Sequence, residues 1–245
     1  QFAQAKEIAP TLIGEDPNDV SKLWVKLCWA GASVGRSGLS TQAIGAFDVA
    51  LWDMKAKRAN LSLSKMLGSE RDSVRCYNTS GGFLHTPLDQ LTVNASASLA
   101  KGIGGIKLKV GQPDCAIDIK RVETIRKHLG DNVPLMVDAN QQWDRPTAQR
   151  MCRIFEQFNL VWIEEPLDCY DYEGHAALAA QFDTPIATGE MLTSAAEHGE
   201  LIRHRAADYL MPDGPRVGGI TPFLKVATLA NHAGLMLAPH FAMEL

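Results

Sequence analysis

Three groups of residues in this chain have the types and spacing for acid–base chemistry. They are two lysines one residue apart, three carboxylates that each close an apolar run, and an aspartate followed 27 residues later by a histidine. In Ile106-Lys107-Leu108-Lys109-Val110 strand alternation puts Lys107 and Lys109 on one face and three apolar side chains on the other. Two ammonium groups on an inward face repel, and burial disfavours charge. Both effects lower a lysine pKa and make the residue a usable base. On this motif alone, a solvated pair on an edge strand is an equal alternative. Asp138, Glu164 and Glu190 close Leu-Met-Val-Asp, Val-Trp-Ile-Glu and Ile-Ala-Thr-Gly-Glu. Converging carboxylates repel unless protonated or neutralised, and hard oxygen donors without Cys or His select Mg²⁺. Each alone reads as a cap or an ion pair; the three together read as a metal set. Glu164 and Glu165 face opposite ways, so parity does not choose between them. Asn140, two residues past Asp138, can reach the same place. In the Asp213–His240 pair, a carboxylate accepting from one imidazole nitrogen fixes the tautomer and raises the basicity of the other. His85 stays open, whereas His128, His175, His198, His204 and His232 read as satisfied surface or core residues.

The elements that must position these residues follow from hydrophobic patterning. Short apolar runs at 74–78, 106–110, 134–138, 160–164, 185–190, 208–212 and 235–240 alternate with amphipathic stretches such as 115–129, 146–158 and 172–181. Strand–helix alternation implies parallel strands with helical crossovers. Lys109, Asp138, Glu164, Glu190, Asp213 and His240 fall at or just past run ends, 29, 26, 26, 23 and 27 residues apart. Polar groups at every carboxyl end of a near-constant βα unit are how a (β/α)₈ barrel presents a site, with Lys109 and His240 on opposite sides of the mouth. A doubly wound sheet is the alternative. Seven runs fall one short of a closed barrel, so the expectation is an incomplete chain, with a complete but unusual fold as the alternative. Residues 1–72 are helical, with Val20, Leu23, Trp24 and Leu27 at helical spacing and a strong helix over 40–59 whose stripe is Ile44, Phe47, Val49, Ala50, Leu51 and Met54. The domains are therefore read as 1–72 and 73–245. Arg36, in the Gly-rich stretch 31–38, is a candidate for a substrate carboxylate, although a solvated turn is the favoured reading. Gly102-Ile-Gly-Gly precedes a strand and so is no dinucleotide fingerprint. Asp213-Gly-Pro-Arg-Val-Gly-Gly is a turn entering a helix, with Arg216 read as structural.

Composition narrows the class. With 24 basic against 28 acidic residues there is no basic surplus for nucleic acid. No apolar stretch approaches the roughly 20 residues of a membrane helix, and no leader pattern opens the chain. Five scattered cysteines without a C-x-x-C fit a reducing cytoplasm better than a disulfide framework. The partners expected are a small-molecule carboxylate and a second copy of the chain, with neither nucleic acid nor membrane.

The Lys-x-Lys strand, Val137-Asp-Ala-Asn140, Trp162-Ile-Glu-Glu-Pro166, Gly189-Glu190 and Asp213 with Pro239-His240 resemble the mandelate racemase subgroup of the enolase superfamily. The likeness extends to CYNTSGGF at 76–83, GIGGIKLKVGQ at 102–112, ATGEMLT at 187–193 and the stretches 29–38 and 238–244. The resemblance implies a modified α/β TIM barrel with part of an α+β capping domain over 1–72. It also implies Mg²⁺ on Asp138, Glu164 and Glu190, acid–base groups Lys109 and His240–Asp213, and Lys107 beside the substrate carboxylate. Asn78 and Asn140 become further substrate contacts with Arg36. The activity it implies is dehydration of an acid sugar through an enediolate. The alternatives are a racemase or epimerase using the same residues, a non-catalytic binding barrel, or a hydrolytic barrel using Asp213 and His240.

Overall fold

The computed structural model describes residues 1–79 and 81–240. Ser80, within CYNTSGGF, and residues 241–245, at the end of the 238–244 stretch and of the expected second domain, lie outside the described residues. In chain order the helices and strands are α1 (Phe2–Ile8), α2 (Val20–Ala30), α3 (Gly38–Arg58), α4 (Leu63–Met66), α5 (Leu88–Ala100), β1 (Ile106–Lys109), α6 (Cys115–Leu129), β2 (Leu135–Asp138), α7 (Arg145–Phe155), β3 (Ile163–Glu164), α8 (Tyr172–Gln181), β4 (Ile186–Thr188), α9 (Ala195–His204), β5 (Tyr209–Leu210), α10 (Gly214–Val217), α11 (Ile220–His232) and β6 (Met236–Leu237). The strand order in the sheet is β1-β2-β3-β4-β5-β6, the sequential order of a (β/α) barrel. The described chain packs as two compact units. One is Ser73–Thr188 with Leu201–Tyr209; the other is Gln1–Asp72 with Gly189–Glu200 and the chain from Leu210 onward.

In the unit that carries β1 to β4, the pairings are parallel and in register, with Lys109 opposite Asp138 and Asp138 opposite Glu164. Alternation sorts the side chains. Ile106, Leu108, Leu135, Val137, Ile163 and Ile186 point into a core shared with Val122 and Ile125 of α6, and Met151, Cys152 and Phe155 of α7. The opposite face is left to Lys107, Lys109, Asp138, Trp162 and Glu164. Helix starts are set by side-chain caps: Asp114 accepts from Ala116 N, Asp144 from Thr147 N, and Asp171 from Gly174 N. The run expected at 74–78 forms no strand. It makes a single parallel bridge, Asn78 to Ile106, in which Asn78 N donates to Gly105 O and Asn78 O accepts from Lys107 N, while residues 74–76 are exposed and bury no face against the sheet. Among the described residues the count is six strands, one below the expectation.

The other unit is organised by α3. Its buried face is not the expected apolar stripe: Ile44 and Leu51 are buried, but Val49 is exposed, and Ser40, Thr41, Gly45 and Asp48 are buried instead. The reason is a close backbone approach. A Cβ at Gly45 would stand 3.1 Å from the backbone of Gly218 and Gly219, so only glycine admits the turn there. Asp48, fully buried, accepts from Thr221 N at 2.8 Å and Thr221 Oγ1 at 2.6 Å, satisfying donors at the start of α11. Burial pushes its carboxyl above the usual range even though the Thr221 hydrogen bonds pull it down. Trp24 Nε1 donates to Gly218 O and Trp52 Nε1 to Thr221 Oγ1, so α2 and α3 both grip the same turn. Asp48→Ala would strand two buried donors, and the expected loss is about 2–3 kcal/mol of unfolding free energy, measured by urea denaturation.

Candidate functional site

One group of candidate residues lies on β1, β2 and β3. Lys107, almost wholly buried, places Nζ 2.6 Å from both oxygens of Glu164 and 3.4 Å from Asp138 Oδ2. Lys109 donates to the same Asp138 oxygen. Oδ1 of Asp138 accepts the Asn140 backbone N–H at 2.9 Å. Two lysines of β1 thus face one carboxylate on β2 and one on β3: Asp138 meets both lysines, and Lys107 reaches over to Glu164. That reverses the expectation of a lowered lysine pKa. Burial does oppose the charge on Lys107, but the Glu164 and Asp138 carboxylates outweigh it and hold its pKa above the ordinary lysine value. For Asp138, burial pushes the carboxyl up, and the Lys107 and Lys109 charges outweigh that and hold it below the usual range. Beneath this layer, Lys107 sits 5.3 Å from the centroid of Tyr77, whose phenol burial pushes up to about 12.

Glu164 and Glu165 differ in their contacts. Glu164 meets Lys107 and the Trp162 indole N–H, whereas Glu165, at φ +41°, accepts from Gln141 Nε2. Asn140 at φ +43° and Gln141 at φ +64° are also left-handed, so both strand ends turn sharply just past the carboxylates.

A second group of candidate residues belongs to the other unit. Gly189 and Glu190 follow β4 directly in the chain, and Asp213 and His240 each lie three residues past β5 and β6. His240 Nδ1 donates to Asp213 Oδ2 at 2.8 Å, which leaves Nε2 as the working nitrogen. Asp213 Oδ1 at the same time caps α10 by accepting Arg216 N. Burial raises the Asp213 carboxyl, but the His240 and Arg216 contacts outweigh it and keep it low. His240 Nε2 stands 3.3 Å from Glu190 Oε2. That oxygen is buried and completes no hydrogen bond, the condition of a carboxylate oxygen suited to accept a cation. Arg216, read from the sequence as structural, instead directs its guanidinium to Glu190, 3.0 Å from the backbone oxygen and 3.4 Å from Oε1.

The remaining candidates lie apart from these contacts. Asn78 donates its amide to Ser98 on α5. Arg36 is exposed and stacks 3.9 Å over the Trp29 ring, while Gly38 N donates to Thr193 Oγ1, three residues past Glu190. His85 is exposed and stacks on Phe83. His128 meets Ser96, and His175 and His198 are buried, each with Nδ1 on a backbone oxygen, as read from the sequence. Trp162 and Arg216 were not read as site residues. Strand parity signals Trp162, two residues before Glu164 on one face, whereas no sequence pattern reports the reach of Arg216.

Lysines, carboxylates and a His–Asp pair at or just past the carboxyl ends of strands in sequential order define the class as a (β/α)-barrel protein. Family models match on both sides of the chain: "Enolase C-terminal domain-like" over residues 90–245, and "Mandelate racemase / muconate lactonizing enzyme, N-terminal domain" over residues 2–68. The chain belongs to the enolase superfamily, in the mandelate racemase/muconate lactonizing enzyme group. It is 68% identical over 244 residues to L-talarate/galactarate dehydratase of Salmonella typhimurium, covering 100% of this chain and 61% of that protein. It is 38% identical to 3,6-anhydro-alpha-L-galactonate cycloisomerase of Streptomyces coelicolor, covering 98% of this chain and 66% of the relative. A solved structure of L-talarate dehydratase from Polaromonas sp. JS666, complexed with Mg and L-glucarate, matches at 86% identity and a TM-score of 0.96. That match covers 100% of this chain and 68% of the other. The chain therefore spans about three fifths to two thirds of the length of these relatives. Among the described residues, no helix is long and apolar enough to cross a membrane.

Replacing Lys107 by Met leaves Glu164 and Asp138 buried with less compensating charge. The expected cost is about 3–5 kcal/mol of stability. Millimolar Mg²⁺ should restore part of it, as read by urea denaturation of the intact protein with Mg²⁺ and with EDTA. A loss that Mg²⁺ does not change counts against a cation neutralising these carboxylates.

Proposed function

We propose that this chain carries the active site of a Mg²⁺-dependent acid-sugar dehydratase acting on an aldarate such as L-talarate or galactarate. What carries the reading is that two proton-transfer groups of different kinds each stand beside a buried carboxylate: Lys109 on Asp138, and His240 Nε2 at 3.3 Å from Glu190. The buried set Asp138, Glu164 and Glu190 would hold the ion, all oxygen donors as Mg²⁺ prefers. The similarity to L-talarate/galactarate dehydratase supports the substrate class. The capping portion over 1–72 and the barrel portion over 73–245 belong to the same reading, as do a cytoplasmic location, supported by five free cysteines, and a homo-oligomer.

The chemistry follows from what must be stabilised. A proton α to a carboxylate is weakly acidic because its removal puts a second negative charge on the substrate. When bound, Mg²⁺ supplies positive charge to that carboxylate as the charge develops. Lys107 adds a fixed ammonium on the same side. Lys109 or His240, according to the configuration of the substrate, takes the α-proton and yields an enediolate. His240 as imidazolium gives its proton to the departing β-hydroxyl, so the C–O bond breaks and water leaves. The resulting enol tautomerises to a 2-keto-3-deoxy acid. Asp213 holds the imidazole through Nδ1, keeping Nε2 toward the reaction. Arg36, Asn78 and Asn140 are proposed to contact the rest of the substrate.

The test is incubation of the intact protein with Mg²⁺ and a panel of diastereomeric C6 aldarates in D₂O. The expected result is 2-keto acid from talarate or galactarate, abolished by EDTA and lowered about 10²–10⁴-fold by Lys109→Met with Mg²⁺ binding kept. Deuterium at the α-carbon without keto acid means epimerisation, and neither signal with Mg²⁺ bound means another substrate class.

A further inference from the structure

We propose that Trp162 is a positioning residue for the metal-binding carboxylate Glu164, acting through its indole N–H. The proposal rests on the reading that Asp138, Glu164 and Glu190 hold a divalent cation. Strand alternation puts Trp162 and Glu164 on the same face of the chain, two residues apart. The indole Nε1–H donates to Glu164 Oε2 at 3.0 Å, and both groups are buried. The ring itself is fixed, with its centroid 5.3 Å from Tyr77 in an edge-on contact and 5.0 Å from Tyr209 in a tilted one. Lys107, the other donor to Glu164, stands over that same Tyr77 ring.

The two donors differ in a way that matters for a cation. Lys107 brings a full positive charge on a flexible stem, so a divalent ion and the ammonium compete for one carboxylate. The indole is neutral, rigid and clamped between two tyrosines. It can keep its bond to Oε2 with an ion present and hold the plane of the carboxylate. Donors to a ligating carboxylate of this kind are worth about 10–100-fold in metal affinity.

Mg²⁺ affinity of the intact protein, measured by calorimetric titration, is compared for wild type, Trp162→Phe, Tyr209→Phe and Glu164→Gln. Phenylalanine keeps most of the ring volume and removes the N–H. The expected result is at least about tenfold weaker binding for Trp162→Phe, wild-type affinity for Tyr209→Phe, and loss of binding for Glu164→Gln. In the wild-type ¹⁵N–¹H spectrum, the indole resonance assigned by its contacts to the Tyr77 and Tyr209 rings should shift on Mg²⁺ addition and exchange slowly with water. A Trp162→Phe protein with wild-type folding and Mg²⁺ affinity overturns the proposal. If that variant does not fold, an indole resonance that does not respond to Mg²⁺ overturns it. Absence of Mg²⁺ binding by the wild type, or unchanged binding by Glu164→Gln, overturns the metal reading itself.

Discussion

Carboxylates buried at the ends of parallel strands are tolerable only if positive charge is buried with them. Asp138 and Glu164 have no exposure, and the Born cost of two such ions is several kcal/mol each. Lys107 and Lys109 meet that cost from β1, for Asp138 from the next strand over and for Glu164 from two strands away, and the register that sets Lys109 opposite Asp138 and Asp138 opposite Glu164 makes the meeting possible. The rest of the first unit serves this register. Capped crossover helices return the chain to the sheet at the right height. The Val122, Ile125, Met151 and Phe155 core on the far face fixes which side of each strand looks inward.

The second unit solves a different problem, holding an imidazole where a single nitrogen can work. One carboxylate does two tasks there: Asp213 closes the first turn of α10 with Oδ1 and fixes His240 with Oδ2. The turn that carries it is pressed between α3, where Gly45 removes any side chain, and α11, whose first donors Asp48 satisfies. Orientation of the dyad is therefore tied to packing far along the chain.

Much of this was legible in the residues. Constant βα spacing marked Lys109, Asp138, Glu164, Glu190, Asp213 and His240 as strand-end groups, and each lies at or within three residues of a strand end. Alternation placed both lysines on one face. What alternation could not carry was the identity of the facing neighbours: the lysines were read as repelling each other, but strand register puts carboxylates beside them. The run at 74–78 looks like a strand because its composition suits one, but residues 74–76 are exposed and the pairing is a bridge at Asn78. The buried polar face of α3 was hidden for a related reason. Asp48, Thr41 and Gly45 read as ordinary helix positions until the glycine turn that they contact is known. Arg216 was missed because its reach to Glu190 depends on the path of the turn, not on the pattern of the sequence.

Neither compact unit is a continuous piece of chain. The helices of residues 1–72 share their unit with the Glu190 segment and with residues 210–240, while Leu201–Tyr209 returns to the other. A recombination cut placed at the apparent boundary near residue 72 would thus separate α3 from the glycine turn that it covers. Exchange of the first segment between relatives is compatible with folding only when residues 213–221 travel with it or already match. The helical head and the late strands are in this sense one packing module, interrupted in sequence by the part of the chain that carries β1 to β4.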